Sequence, residues 1–142
     1  MTIAAILGHK GREVISVTAD QSVGEAVAIL ATRRVGAVPV MDGALVVGIF
    51  SERDVIHAIA AHGPDALARS VGDTMTAPAI TVLPSEPVIG ALSLMTRRRI
   101  RHLPVIEHDR VVGLVSIGDL VKYRIDKIEA DAEAMRSYIQ SA

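Results

Sequence analysis

The chain has no cysteine and no tryptophan, and its aromatic residues are one phenylalanine and two tyrosines in 142 positions. Without cysteine there can be no disulfide, thiolate metal site or cysteine nucleophile. That usage suits a reducing compartment and makes a cytoplasmic location the expectation. With 2% aromatic residues, single-stranded bases have no platform to stack on, so a bound purine would lie between aliphatic side chains and backbone. A net charge of −1 argues against nucleic-acid binding. No apolar run approaches the ~20 residues of a membrane helix, so no membrane association is expected. The opening "MTIAAILGHKGREV" lacks the basic start and apolar length of a secretory leader. His9, His57, His62, His102 and His108 show no metal spacing; His57 and His62 stand five apart, off the i,i+4 geometry of a helical pair. No G-x-S-x-G turn or triad order is present. These absences predict neither a catalytic residue nor a metal site. What the chain does have is 50% hydrophobic residues, too many for disorder and enough for one compact domain or two lobes around a shared core.

Those residues are organised as a repeat. Residues 14–59 align without a gap on residues 79–124 at an offset of 65. Identical pairs include Val17/Val82, Arg33/Arg98, Arg34/Arg99, Pro39/Pro104, Val47/Val112, Gly48/Gly113, Ser51/Ser116 and Asp54/Asp119. Each copy reads strand, helix, strand, hairpin turn, strand, helix. "VISV" and "AITV" are short apolar strands. Val23, Ala26, Val27 and Leu30, like Val88, Leu92 and Met95, fall three and four apart, which predicts helices with one buried face. "AVPVM–DGA–LVVGIF" and "HLPVI–EHDR–VVGLVS" predict hairpins. Ser51 and Ser116 are natural N-caps for the closing helices. The expected fold is mixed α/β (α+β): two β-α-β-β-α repeats related by a pseudo-two-fold, each with a three-stranded sheet, packed sheet to sheet around one core. The expected boundaries are 1–62 for the first repeat with its N-terminal segment, 63–78 for a linker helix, 79–124 for the second repeat and 125–142 for a C-terminal helical extension.

An aspartate three residues after an N-cap serine can have two readings. Its two carboxylate oxygens can accept both hydroxyls of a ribose, while the serine hydroxyl and the helix-start amides suit a phosphate. Alternatively the pair simply caps the helix, as a near-variant of the capping box. "RVGAVPVMDGALVVGIFSERDV" and "RIRHLPVIEHDRVVGLVSIGDL" resemble the CBS domain, and the tandem resembles the pair called a Bateman module. The whole chain is similar to stand-alone bacterial proteins that are little more than one such pair, and to mitochondrial relatives in plants. The resemblance implies a regulatory module, not an enzyme. It also implies an adenosine-containing ligand (AMP, ADP, ATP, S-adenosylmethionine or a dinucleotide such as NAD), a homodimer, and an unknown regulated protein. It implies two clefts shared between the repeats. One would use Ser116, Gly118 and Asp119 with Ile15, Val35, Gly36 and Ala37. The other would use Ser51, Arg53 and Asp54 with Ile80, Ile100, Arg101 and His102. Gly36 lets a ring approach the backbone. Arg101 stands in the equivalent place in the second set, so that cleft is the more cationic and favours di- or triphosphates.

The run "RRRIR" from Arg97 to Arg101 reads first as a solvated helix end and second as a phosphate contact. "GHKG" at Gly8–Gly11 lacks the further glycines of a phosphate loop and reads as a turn, from which Lys10 or Arg12 could reach a phosphate. From Ile117 to about Gln140 the chain predicts one long helix. Val121, Ile125, Ile128, Ala132, Met135 and Ile139 form a narrow apolar seam along it.

Overall fold

The computed structural model describes residues 1–141, in the order α1 (Ile3–Lys10), β1 (Val17–Thr18), α2 (Val23–Arg33), β2 (Ala37–Asp42), β3 (Leu45–Ser51) and α3 (Glu52–His62). A 3-10 segment (Gly63–Ala68) and a one-turn helix α4 (Val71–Thr74) follow. Then come α5 (Val88–Arg98), β4 (His102–Glu107), β5 (Arg110–Ser116) and α6 (Ile117–Ser141). The mixed α/β fold and the long terminal helix are as the repeat predicts. Among the described residues no helix is long and apolar enough to cross a membrane.

The repeated V-V-G has a structural cause. In both hairpins the register shifts where Val40 faces Gly48 and Met41 faces Val46, and where Val105 faces Gly113 and Ile106 faces Val111. Val47 and Val112 are therefore the extra residues of two equivalent β-bulges. The hairpin tips differ. Gly43 takes φ +61°, whereas His108 and Asp109 both take positive φ, the pattern of a type I′ turn. Helices α2 and α5 end alike, with Arg34 and Arg99 in the left-handed region and the next amide bonded back to Leu30 and Met95. That 6→1 bond is the Schellman stop.

Two expectations need correction. The second sheet has two strands, not three: β1 pairs in parallel with β2 (Val17↔Val40, Thr18↔Met41), but its counterpart is a single bridge, Val82↔Val105. The ladder stops there because the next amide in line belongs to Pro84, which has no N–H. Nor do the described residues form one shared core. Val17, Val23, Leu30, Val40, Phe50 and Val71 belong to one buried cluster, and Ile3, Leu7, Val88, Met95, Leu103 and Leu120 to another.

Each cluster is completed by the segment that leads into the other repeat. The Val71 and Gly72 amides donate to the Gln21 and Ala19 carbonyls at 2.8 and 2.9 Å, and the Val23 amide donates to the Arg69 carbonyl at 2.8 Å. In the other half the Ile3 and Ala4 amides donate to the Glu86 and Pro84 carbonyls at 2.9 Å, and the Val88 amide donates to the Met1 carbonyl at 3.2 Å. The N-terminal helix thus precedes the first repeat in sequence but packs on the second. The glycines of the two bulges lie beneath these leads. A Cβ on Gly48 would stand 2.7 Å from Met75 Sδ and 2.9 Å from the Thr76 carbonyl oxygen, and one on Gly113 would stand 2.5 Å from a Leu7 methyl.

A backbone carbonyl cannot turn aside as a leucine tip can. Gly48→Ala is therefore expected to destabilise the fold by about 1–3 kcal/mol in urea unfolding, and Gly113→Ala by less. The reverse order would contradict this packing.

Candidate functional site

Ser51 and Asp54 form a full capping box at the start of α3. The Asp54 carboxylate accepts the Ser51 amide at 2.9 Å and the Ser51 hydroxyl at 3.1 Å on Oδ2, and the Thr76 hydroxyl at 2.9 Å on Oδ1. It is 8% exposed, with both oxygens engaged. Ser116 and Asp119 repeat the box on α6: the Ser116 amide donates to Asp119 Oδ2 at 2.8 Å, and the Asp119 amide to Ser116 Oγ at 3.1 Å.

The two halves differ in what reaches the box from the packed lead. In the first, the Thr76 amide donates to the Ile49 carbonyl at 2.9 Å and its hydroxyl to Asp54. Leu114 and Asp119 are the repeat equivalents of Ile49 and Asp54. In the second half a single ammonium makes both bonds: Lys10 Nζ donates to the Leu114 carbonyl at 2.7 Å and to Asp119 Oδ2 at 2.6 Å. Burial pushes the Asp119 carboxyl up. The hydrogen bond from Lys10, the Ser116 amide and the Lys10 charge outweigh it, so the group titrates below the usual carboxylate range.

Between the repeats lies a cavity of about 550 Å³. It brings together Ser51, Arg53, Ile80, Ile100, Arg101 and His102 of the second predicted cleft, joined by Gly36 from the first. Asp54 is not on its wall; it lies behind Thr76, which is. The residues of the other predicted cleft have their own surroundings. Ile15 and Val35 pack on the first core, Ala37 is buried, and Asp119 holds Lys10. Gly118 lies beside Ser116 Oγ.

Gly36 and His102 mark where the two clefts meet. A Cβ on Gly36 would stand 3.3 Å from the His102 ring, and the Glu52 carboxyl lies behind it. Burial is the main cause holding the His102 imidazole below its ordinary pKa. Lys10 and Arg101 add to that effect, while Glu52 and Asp119 oppose it.

Sequence reasoning did not assign Arg98, Arg99, Glu52, Ile49, Ile56, Thr76, Pro78 or Ala79 to this wall. Arg98 and Arg99 read first as a helix end and only second as a phosphate contact. Arg99 takes the left-handed cap and its carbonyl accepts Arg53 Nη1 at 3.0 Å, which turns the run toward the cavity. The helix start contributes less than expected, because the Glu52 amide already donates to the Gly36 carbonyl and the Asp54 amide to Ser51. The positive charge of this wall comes from the guanidinium groups of Arg53, Arg98, Arg99 and Arg101. Among the described residues no cluster of three His, Asp or Glu could hold a metal ion.

The CBS domain model matches residues 10–61 and again 71–126. The chain is 34% identical over 148 residues to the mitochondrial CBS domain-containing protein CBSX3 of Arabidopsis thaliana, covering 98% of this chain and 72% of that one. The CBS domain pair of protein MJ0100, solved with 5′-methylthioadenosine and S-adenosyl-L-methionine, superposes with a TM-score of 0.80 at 26% identity, covering 89% of this chain and 98% of that one. The CBS domain protein PAE2072 of Pyrobaculum aerophilum, complexed with AMP, gives 0.75 at 28% identity, covering 84% and 89%.

The depressed Asp119 pKa stabilises the fold above the ordinary carboxylate value, and that contribution is lost as pH falls through the folded-state value. In Lys10→Met the Asp119 carboxyl should titrate at higher pH by carboxyl NMR. The stability gap to wild type should be full at neutral pH and close on acidification. An unchanged Asp119 titration would show that Lys10 does not hold it.

Proposed function

Because the chain belongs to the CBS-domain family, which each of its halves matches separately, we propose that it is a regulatory module that binds an adenosine-containing ligand in the open cleft between its repeats. The composition of the cavity wall carries this reading. Ile49, Ile56, Ile80 and Ile100 offer aliphatic faces, and Arg53, Arg98, Arg99 and Arg101 stand against the single carboxylate of Glu52. A ligand that fits both has a flat apolar ring and a strongly anionic end. The complexes of MJ0100 and PAE2072 support adenosine as the ring-bearing part. Four guanidinium groups favour ADP or ATP over AMP, admit the diphosphate of NAD, and disfavour the cationic sulfonium of S-adenosylmethionine. Ribose hydroxyls would meet the Thr76 hydroxyl first, and reach Asp54 only by taking over the bond that Thr76 makes to it.

The cleft of Ser116 and Asp119 is closed in this reading, because the Lys10 ammonium holds the carboxylate that a ribose would need. Ligand in the open cleft ties Arg101 and His102 of the second repeat to Ser51 and Arg53 of the first. It thereby biases how the repeats sit on one another, and a regulated protein reads that bias. One observation favours a second reading, a scaffold with vestigial clefts: both repeat aspartates already have internal partners.

Calorimetric titration with AMP, ADP, ATP, NAD and S-adenosylmethionine separates the two. The sensor reading predicts micromolar binding of ADP or ATP. It also predicts about tenfold or greater weakening in Arg101→Gln, from loss of a charge-assisted bond of about 1.5–3 kcal/mol. Silence across the panel would leave the scaffold.

The pH dependence has a fixed sign. His102 is neutral in the free cleft, and an incoming phosphate raises its pKa, so binding takes up a proton and affinity rises as pH falls through the imidazole range. Binding heats in buffers of different ionisation enthalpy should show this uptake in wild type and lose it in His102→Gln.

A further inference from the structure

Helix α6 leaves the body of the molecule early. Leu120 is fully buried and Tyr123 packs on the second core, but every residue from Ile125 to Ser141 is exposed. The projecting part is about 25 Å long at ~1.5 Å per residue. Its seam is uncovered: Ile125 is 49% exposed, Ile128 52%, Met135 60% and Ile139 65%. Two ion pairs run along it, Lys127–Asp131 and Glu133–Arg136, each worth only a few tenths of a kcal/mol in an exposed helix. A solvated single helix of this length is marginal, so the sequence pattern calls for a partner on the seam.

The charges beside the seam specify that partner. In heptad terms Ile125, Ala132 and Ile139 are a positions, and Val121, Ile128 and Met135 are d positions. Arg124 and Asp131 then fall at g, and Lys122, Glu129 and Arg136 at e. In a parallel two-stranded coil each g residue faces the e residue five further on in the other helix. Arg124 meets Glu129 of the second copy, and Asp131 meets Arg136 of the second copy. Symmetry doubles both pairs, and each is attractive. A fully overlapped antiparallel pair is centred near Ala130. It sets Glu129 against Glu129, Asp131 against Asp131 and Lys122 against Arg136, all of like sign.

We propose that α6 is a self-association element, in which residues 121–139 pair with the same residues of a second copy of this chain as a parallel coiled coil. This goes beyond the ligand reading and stands whether or not the cleft binds a nucleotide. It places two copies side by side with their second repeats adjacent, because α6 grows directly out of that repeat.

The absence of cysteine makes the test direct. The full chain should scatter light as a particle of twice 15.0 kDa. Met135→Cys should form a disulfide-linked dimer on mild oxidation, and Ile128→Glu should return the mass to one chain with its circular dichroism otherwise native. Position 128 is half exposed, so loss of the dimer in that variant does not require loss of the fold. Three results would overturn the proposal: a single-chain mass for wild type at ~100 µM; a dimer that survives Ile128→Glu; or a dimer that crosslinks in Ile125→Cys/Met135→Cys but not in Met135→Cys, the mark of the antiparallel arrangement.

Discussion

The structure depends on an exchange of leads. Each half-sheet leaves the face above its bulge open, and neither repeat supplies the cover from its own sequence. The segment entering the second repeat lies over the first, and the segment entering the first lies over the second. Matching pairs of backbone bonds hold them, to Gln21 and Ala19 on one side and to Glu86 and Pro84 on the other. A three- or two-stranded sheet with a single helix layer buries little surface. With Val71, Met75, Ile3 and Leu7 added, each half acquires a closed cluster. Removing either lead would open one core and disturb the repeat to which that lead is covalently tied.

The same exchange explains why halves built on one pattern present different clefts. The capping boxes are equivalent in sequence and geometry. What differs is the residue each lead delivers to them. Thr76 comes in as backbone, pairs with Ile49 as an extra edge, and leaves a small hydroxyl on the cavity wall. Lys10 stands at the end of a helix and reaches in with its side chain, so an ammonium holds the Asp119 carboxylate. The remaining asymmetry, Arg101 in place of Gly36, adds positive charge to the open side. Two boxes on one scaffold thus end in different surroundings, a hydroxyl at one and an ammonium at the other.

Much of this was legible in the sequence and some was not, for physical reasons. The gapless offset of 65 revealed the helices, the hairpins and the Ser–Asp boxes, because capping and turn chemistry are local, whereas the bulges at Val47 and Val112 came only with the strand register. The exchange of leads was hidden. The lead before the second repeat lies 68 residues after its counterpart, with Ser70 answering to Thr2, so the alignment that revealed the repeat misaligns the leads. They share only apolar character, as in Ile3 and Val71. Asp54 and Asp119 were correctly placed at helix starts, but their partners, Thr76 and Lys10, are distant in sequence and no local pattern pairs them. Arg98 and Arg99 looked like a solvated end because periodicity ends at Arg98; the left-handed turn at Arg99 is what brings them to the cavity.

The central claim is that one cleft is open and the other is held by Lys10. The most direct measurement is the calorimetric stoichiometry of ADP or ATP on wild type and on Lys10→Met. The account predicts one ligand per chain in wild type and a second, weaker site in the variant, with the first site unchanged. Two ligands per chain in wild type, or a variant that loses the first site, would contradict it.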